Sequence, residues 1–465
     1  MFPNSKRMRT SESSVPRQTN INDLPEVILC LILSLVPLQQ QVVASLVCRS
    51  WRYLWLQSPD WRLMSSTFPR VKNKRQKFEE LVDKVIFFSG RHIRSMKLVH
   101  TIYDPSSTRA SLWIQHLVGQ GIVRLNVNLC NPIPPPLLLF RSETLTELRL
   151  GMNNERIRLP PTVLLPMLRF LGLHRAQFSS PIAFQNLING CPILVVLELR
   201  HSDITGPEIE EITIPQTTLR VMNIENCYLF RESKLRVSTV NLIEFYCSGL
   251  NLMGNVHDFA SQKSPIVASF DPEEYLLIYH HSRRLGFSTT YGVKMSSMLA
   301  SFRNTKHLFL NDWSIEYLTN IPTAINFPPF SRMESLTVSM WPNSGHIHVI
   351  VLFVLFSPVL NRLRVTVPEA FVDRIYDGDR SDYPVPDSGF MEREMVHYNL
   401  KNVEIIKKRG VMTDELVLIK FLLKVAVGLN ELLVKCHVDP PVRRTVRNVI
   451  KSYPRGSENV KLSVN

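Results

Sequence analysis

The chain has 465 residues, 45% of them hydrophobic and 20% charged, which excludes a disordered polymer and gives enough length for a large core in about two to four domains. Lys and Arg outnumber Asp and Glu by 54 to 40, a formal charge of +14. The excess sits on two flanks, residues 61–110 (11 basic, 4 acidic) and 396–465 (13 basic, 6 acidic), whereas residues 111–395 carry 24 basic and 26 acidic side chains. A nucleic-acid groove needs positive charge and aromatic groups along one working surface. The flanks therefore read as solvated charge, and a nucleic-acid partner is not expected.

Residues 1–19 are polar and basic and read as a disordered tail, with Lys6-Arg-Met-Arg9 as a weak nuclear import signal. No apolar stretch of secretory type is visible in this tail. The longest apolar run, Val349 to Phe356, is closed by Ser357-Pro358 and falls well short of the ~18–20 residues that cross a bilayer. No membrane association is expected. Cys30, Cys48, Cys130, Cys191, Cys227, Cys247 and Cys436 are odd in number, form no C-x-x-C pair and lie mostly in apolar runs. They read as reduced, buried thiols, and the expected location is cytoplasmic or nuclear.

Order begins at Ile21-Asn-Asp-Leu-Pro-Glu26. Asn22 or Asp23 can cap a helix, and Pro25 suits its first turn. The helix runs through Val27 to Leu35, apolar nearly all round, and stops before Pro37. A second helical period follows at Val43, Leu46, Val47, Trp51, Leu54 and Trp55. So short a segment cannot bury its own apolar surface, so another body must cover part of it. Leu24-Pro25-Glu26, Ile28, Ile32-Leu33, Val36-Pro-Leu38, Ser45-Leu-Val-Cys-Arg-Ser-Trp51 and Leu54-Trp55 together resemble the F-box, over residues 20–62. Gln39 to Gln41 depart from that pattern, where a charged residue is commoner.

Residues 63–92 read as a linker or helical cap. From residue 93 to 395 the phrase apolar-x-x-apolar-x-apolar recurs. Its first seven copies are centred on Met96, Leu125, Leu148, Leu171, Leu197, Met222 and Phe245, spaced 29, 23, 23, 26, 25 and 23 residues apart. This is the period of leucine-rich repeats, in which each unit buries its apolar residues only against its neighbours. Residues 250–300 hold one degenerate copy near Ile266–Phe270 and a helix near Met295–Phe302; the phrase returns at Leu308, Leu336 and Leu363. Asp373 to Ser388 reads as a polar surface loop.

Residues 396–465, with Leu400 to Ile405, Glu415 to Leu423 and Leu429 to Val434, are similar to the FBD region that ends many plant F-box proteins. The pattern is strand, helix, strand and a last helix near Arg443–Lys451, which would cap the solenoid. The fold class is therefore α/β: a small helical module, then a solenoid with a curved parallel sheet and outer helices.

No Walker loop, dinucleotide fingerprint, H-E-x-x-H or G-x-S-x-G appears, and His280-His281 and His346/His348 lack companion ligands and read as surface or strand histidines. No catalytic residue, cofactor or metal is expected. The F-box resemblance implies a non-catalytic substrate receptor of a ubiquitin ligase. Leu24, Pro25, Ile28, Ile32, Leu35, Leu38, Val47, Cys48, Trp51 and Leu54 would dock on a Skp-type adaptor, which brings in cullin and a ubiquitin-conjugating enzyme, and the repeats would hold an unidentified protein substrate. The alternative is a repeat scaffold or nucleic-acid-binding protein whose F-box-like segment is structural.

Overall fold

The computed structural model describes residues 21–36, 40, 44, 50–89, 93–100, 108–129, 135–204, 211–229, 234–239, 241–249, 256–259, 266–271, 287–319, 327, 329–368, 396–407, 410 and 412–465. The tail, Lys6 to Arg9, His280-His281 and the Asp373–Ser388 loop lie outside these.

Helix α1 (Glu26–Ser34) follows a short 3-10 turn, Ile21–Asp23, and a second 3-10 helix spans Ser50–Gln57. The sheet starts immediately afterwards. Strand β1 (Asp60–Met64) pairs in parallel with β2 (Ser95–His100), which pairs with β3 (Arg124–Leu129). The ladder continues, always parallel, through β4 (Glu147–Arg156), β5 (Phe170–Phe178) and β6 (Val196–Arg200). Two short strands, β7 (Asp203–Ile204) and β8 (Glu211–Ile214), lie outside its main line, which passes directly from β6 to β9 (Val221–Glu225). Strands β10 (Tyr228–Leu229) and β11 (Lys234–Val237) precede β12 (Glu244–Ser248), and β13 (Val256–Phe259) precedes β14 (Val267–Asp271). The ladder then runs from β14 through β15 (His307–Leu310), β16 (Ser335–Ser339), β17 (Arg362–Val367), β18 (Asn402–Lys407), β19 (Glu431–Cys436) and β20 (Lys461–Val464).

The repeated phrase explains this order. Its last two apolar residues alternate on one face of each strand, and the first lies just before the strand on the same side. Leu145, Leu148 and Leu150 are buried together, as are Leu168, Leu171 and Leu173, and Leu194, Leu197 and Leu199. One apolar core thus extends from Trp61 to Val464. The entry to most strands of the main ladder is stitched to its predecessor by two successive N–H groups that donate to one carbonyl, as Val195 and Val196 do to Arg169 and Ile243 and Glu244 do to Arg220.

Just past the ends of β6, β9 and β12 the chain turns through left-handed backbone at His201, Asn226 and Gly249, and Arg175 has the same backbone inside β5. His201 N–H donates to Glu225, Asn226 to Ser248 and Gly249 to Asp271, so the ladder carries through the corner. A Cβ at Gly249 would fall 2.8 Å from Asn226 Oδ1, which is why this member of the column is glycine.

The other side carries α2 (Lys74–Phe88), α3 (Arg109–Gly119), α4 (Pro181–Asn189), α5 (Phe287–Ser301), α6 (Asp312–Thr319), α7 (Ser344–Leu355), α8 (Asp414–Val425) and α9 (Pro440–Ser452). Between α4 and α5 their place is taken by a second parallel sheet of β8, β11 and β13. Its free edge at β8 is closed by one side chain. Gln185 of α4 donates from Nε2 to Thr213 O and accepts from Thr213 N–H at Oε1, both at 2.8 Å, replacing a missing strand.

Three expectations are corrected. The sheet begins at Asp60, ahead of the expected start of the repeats at residue 93, and helix α2 falls within 63–92, the segment read as a linker or helical cap. After Ser50 the second helical period forms a 3-10 helix. His346 and His348 lie in helix α7 rather than a strand; His348 is half-buried, whereas His346 is fully buried, accepts from Trp341 N–H at Nδ1 (3.0 Å) and pairs through Nε2 with Glu316 (2.9 Å). Both ring nitrogens of that imidazole are already engaged.

Candidate functional site

Helix α1 is apolar on two sides, and the two meet different fates. Leu29 and Leu33, one turn apart, pack against Trp51 and Leu54 in a small separate core. The opposite stripe, Val27, Leu31 and Leu35, is left outside, at 79%, 62% and 80% exposure. Ile21, Leu24, Pro25 and Ile28 widen it, and Ile32 is half-buried at its edge. Burying a large aliphatic side chain is worth about 1.5–3 kcal/mol. An exposed strip of this kind on one short helix is a candidate docking surface.

The predicted docking residues divide accordingly. Leu24, Pro25, Ile28 and Leu35 stand on the exposed face. Trp51 and Leu54, at 6% and 4% exposure, belong instead to the core that holds α1 in place. Leu38, Val47 and Cys48 lie outside the described residues. Val27 and Leu31, at i, i+4, i+8 spacing with Leu35, share that exposed face although they were not among the predicted residues.

The back of the helix is tied down by polar contacts. Gln57 Nε2 donates to Glu26 Oε1 at 2.9 Å, and the Cys30 thiol lies 3.7 Å from Leu54 O and 3.6 Å from Gln57 Oε1. Burial, and secondarily the Glu26 carboxylate, pushes the Cys30 thiol pKa up. Burial also pushes Cys191 and Cys227 up to about 12 and Cys247 higher still. These thiols stay protonated and are poor nucleophiles.

Only Ser58 and Pro59 separate the 3-10 helix from β1. The junction is fixed: Ser58 Oγ donates to Asp60 O at 3.1 Å, and the N–H groups of Arg94 and Ser95 both donate to Pro59 O, at 2.8 and 3.0 Å. Leu56 packs on the large core, two residues after Leu54 packs in the small one. Module and solenoid are thus joined through one rigid turn.

The sheet face opposite its buried leucines is the second candidate surface. Its charges are partly paired across strands: Arg124 with Asp60 (2.9 Å), Arg149 with Glu198 (3.0 Å), and Arg364 and Lys435 with Glu404 (2.6 and 2.8 Å). Arg149 also lies 3.8 Å over the ring of Phe170. Among the described residues no three His, Cys, Asp or Glu side chains come together as a metal site. No helix among them is long and apolar enough to cross a membrane.

Comparison with known proteins agrees with this architecture. Residues 21–63 match the F-box domain, and residues 110–253 match the leucine-rich repeats of the FBD-associated F-box protein At5g56370. The FBD-associated F-box protein At1g66310 of Arabidopsis thaliana is 23% identical over 449 residues, covering 88% of this chain and 93% of its own. The F-box/LRR-repeat proteins At3g59210 and At1g06630 of the same plant are 26% and 31% identical, over 70% and 48% of this chain and 68% and 57% of theirs. The module around α1 matches an F-box domain, and the chain as a whole is similar to the FBD-associated and leucine-rich-repeat F-box proteins of Arabidopsis thaliana.

Proposed function

We propose that this chain is the substrate-recognition subunit of a Skp–cullin–F-box ubiquitin ligase, acting in the cytoplasm or nucleus. The observation that carries the reading is the stripe Val27–Leu31–Leu35, exposed on a helix whose other side is fixed in a core. An apolar, nearly uncharged face of this size matches a hydrophobic groove on a Skp-type adaptor. The adaptor would link the chain to cullin and a ubiquitin-conjugating enzyme. The open face of the sheet would hold the protein to be modified.

In this reading the chain contributes position rather than chemistry. Two bodies held at a fixed separation turn a bimolecular encounter into an effectively unimolecular one, provided the connection is stiff. The two-residue junction at Ser58-Pro59, bonded on both sides, supplies that stiffness.

The test is co-purification of the full chain with a Skp-type adaptor, beside a Val27→Asp, Leu31→Asp variant. A complex with the unmodified chain that the variant fails to form is the expected result. Equal capture of both would sink the docking assignment.

A further inference from the structure

Strands β9, β12 and β14 stand side by side in the middle of the sheet, and their registers align three rows on the open face. The first row is Val221, Glu244, Val267; the second Asn223, Tyr246, Ser269; the third Glu225, Ser248, Asp271. Three carboxylates therefore share a block that contains no Lys or Arg, in a chain whose formal charge is +14. With strands ~4.8 Å apart and same-face residues ~6.7 Å apart, the block measures about 10 by 13 Å.

The three carboxylates are compensated unequally. Glu225 pairs with Arg200 of β6 at 3.3 Å. Asp271 is oriented by neutral donors, Asn311 Nδ2 at 2.7 Å and the Tyr246 hydroxyl at 3.4 Å. Glu244 is exposed at the other end of the block. Burial above all pushes the Tyr246 hydroxyl pKa up; a hydrogen bond with Ser248 opposes this, and the nearby Asp271 and Glu225 carboxylates add to it. Apolar contact surface adjoins the charge: Val221 and Val267 are half-buried in the first row, Phe170 and Val196 continue that row half-buried across β5 and β6, and Phe309 is exposed on β15.

We infer that this block seats an extended, basic segment of the substrate protein, with Lys or Arg side chains at alternate positions reaching Glu244 and the Asp271–Glu225 end, and apolar residues lying along the valine row. The inference rests on the receptor reading above and names the chemistry of what is received. Alternate residues of an extended chain point to one side about 7 Å apart, so cations at such positions can span the block. Capture depends on attraction between the ligand's cations and the local carboxylates, and that attraction weakens with salt.

The test is fluorescence anisotropy on the full chain with two short labelled peptides, one alternating Lys with Val and one alternating Glu with Val. The basic peptide should bind at least about tenfold more tightly, and Glu244→Lys should weaken it by about tenfold, with Glu244→Gln intermediate. Glu431→Lys changes the net charge equally but lies on β19, and should leave affinity within about twofold. Equal binding of the two peptides, or equal losses in Glu244→Lys and Glu431→Lys, would overturn the inference. Adaptor capture by the same preparations is measured separately. Its loss with peptide selectivity intact counts against the receptor reading alone.

Discussion

The F-box module and the solenoid are built from similarly apolar sequence but differ in what they leave exposed. Inside the solenoid ladder the core-facing leucines have a neighbouring repeat on each side, and Leu148, Leu171, Leu197, Met222 and Leu336 are all completely buried. In the module, α1 leans on Trp51 and Leu54, and half of its apolar circumference stays in solvent. Serial stacking satisfies apolar surface within the chain, whereas a solitary short helix can satisfy it only with a partner. The exposed stripe is thus a result of architecture as much as of composition.

The largest expected effect probes the solenoid half of this contrast. Phe270 packs against Phe245 and Phe302, with ring centroids 5.8 and 5.1 Å away. Phe270→Ala should cost about 3–5 kcal/mol, read from the urea midpoint, with the exposed stripe of α1 untouched. A loss below about 1 kcal/mol would mean the core is less continuous than described.

Next in size is the module. Val27→Asp with Leu31→Asp should weaken adaptor binding at least about a hundredfold, or about 2.7 kcal/mol, because both side chains stand in the exposed stripe. The solenoid's urea midpoint should stay within about 0.5 kcal/mol. A large stability loss instead would show that the stripe is packed internally and would erase the contrast.

A smaller effect sharpens the description of the second sheet. Gln185→Ala leaves Thr213 N–H and C=O without their side-chain partners and should cost about 1–3 kcal/mol. Hydrogen exchange should accelerate at β8 and leave β18 unchanged. Uniform acceleration would mean that Gln185 supports the whole solenoid.

The smallest effect concerns Glu404. Burial opposes its ionisation, but hydrogen bonds from Lys435 and Arg364 outweigh that and hold its carboxyl below the usual 4.5. The folded state therefore binds this proton less readily than the unfolded chain. Its contribution is fully present above pH ~4.5 and disappears as pH falls through the depressed folded value. Thermal melts at stepped acid pH should show a shallower acid loss for Glu404→Gln than for the unmodified chain.

Much of this was legible because the features are local and periodic. The phrase around Leu148 or Leu197 announces its strand whatever surrounds it, and Leu24-Pro25 with Trp51 marks the module. The second sheet was missed because β8, β11 and β13 are four residues each and only their mutual pairing makes them strands. His346 was misplaced because nothing in Gly345-His-Ile-His348 says that Trp341 N–H and Glu316 would close around one imidazole. A similar limit applies at Gly428, where a Cβ would stand 2.0 Å from Tyr398 O, a contact between segments thirty positions apart.

The sequence by itself determined the F-box module, the repeat period, the parallel stacking of the repeats and the lack of any recognisable catalytic motif, because each depends on residue types at short, regular separations. Only the tertiary structure decided which side of α1 faces solvent, that Trp51 and Leu54 serve as its seat, that the sheet starts at Asp60, and that Glu225, Glu244 and Asp271 gather on three adjoining strands. Those outcomes depend on which residues from distant repeats arrive at the same height on the sheet. Strand register sets that height, through hydrogen bonds between segments that are neighbours only after folding.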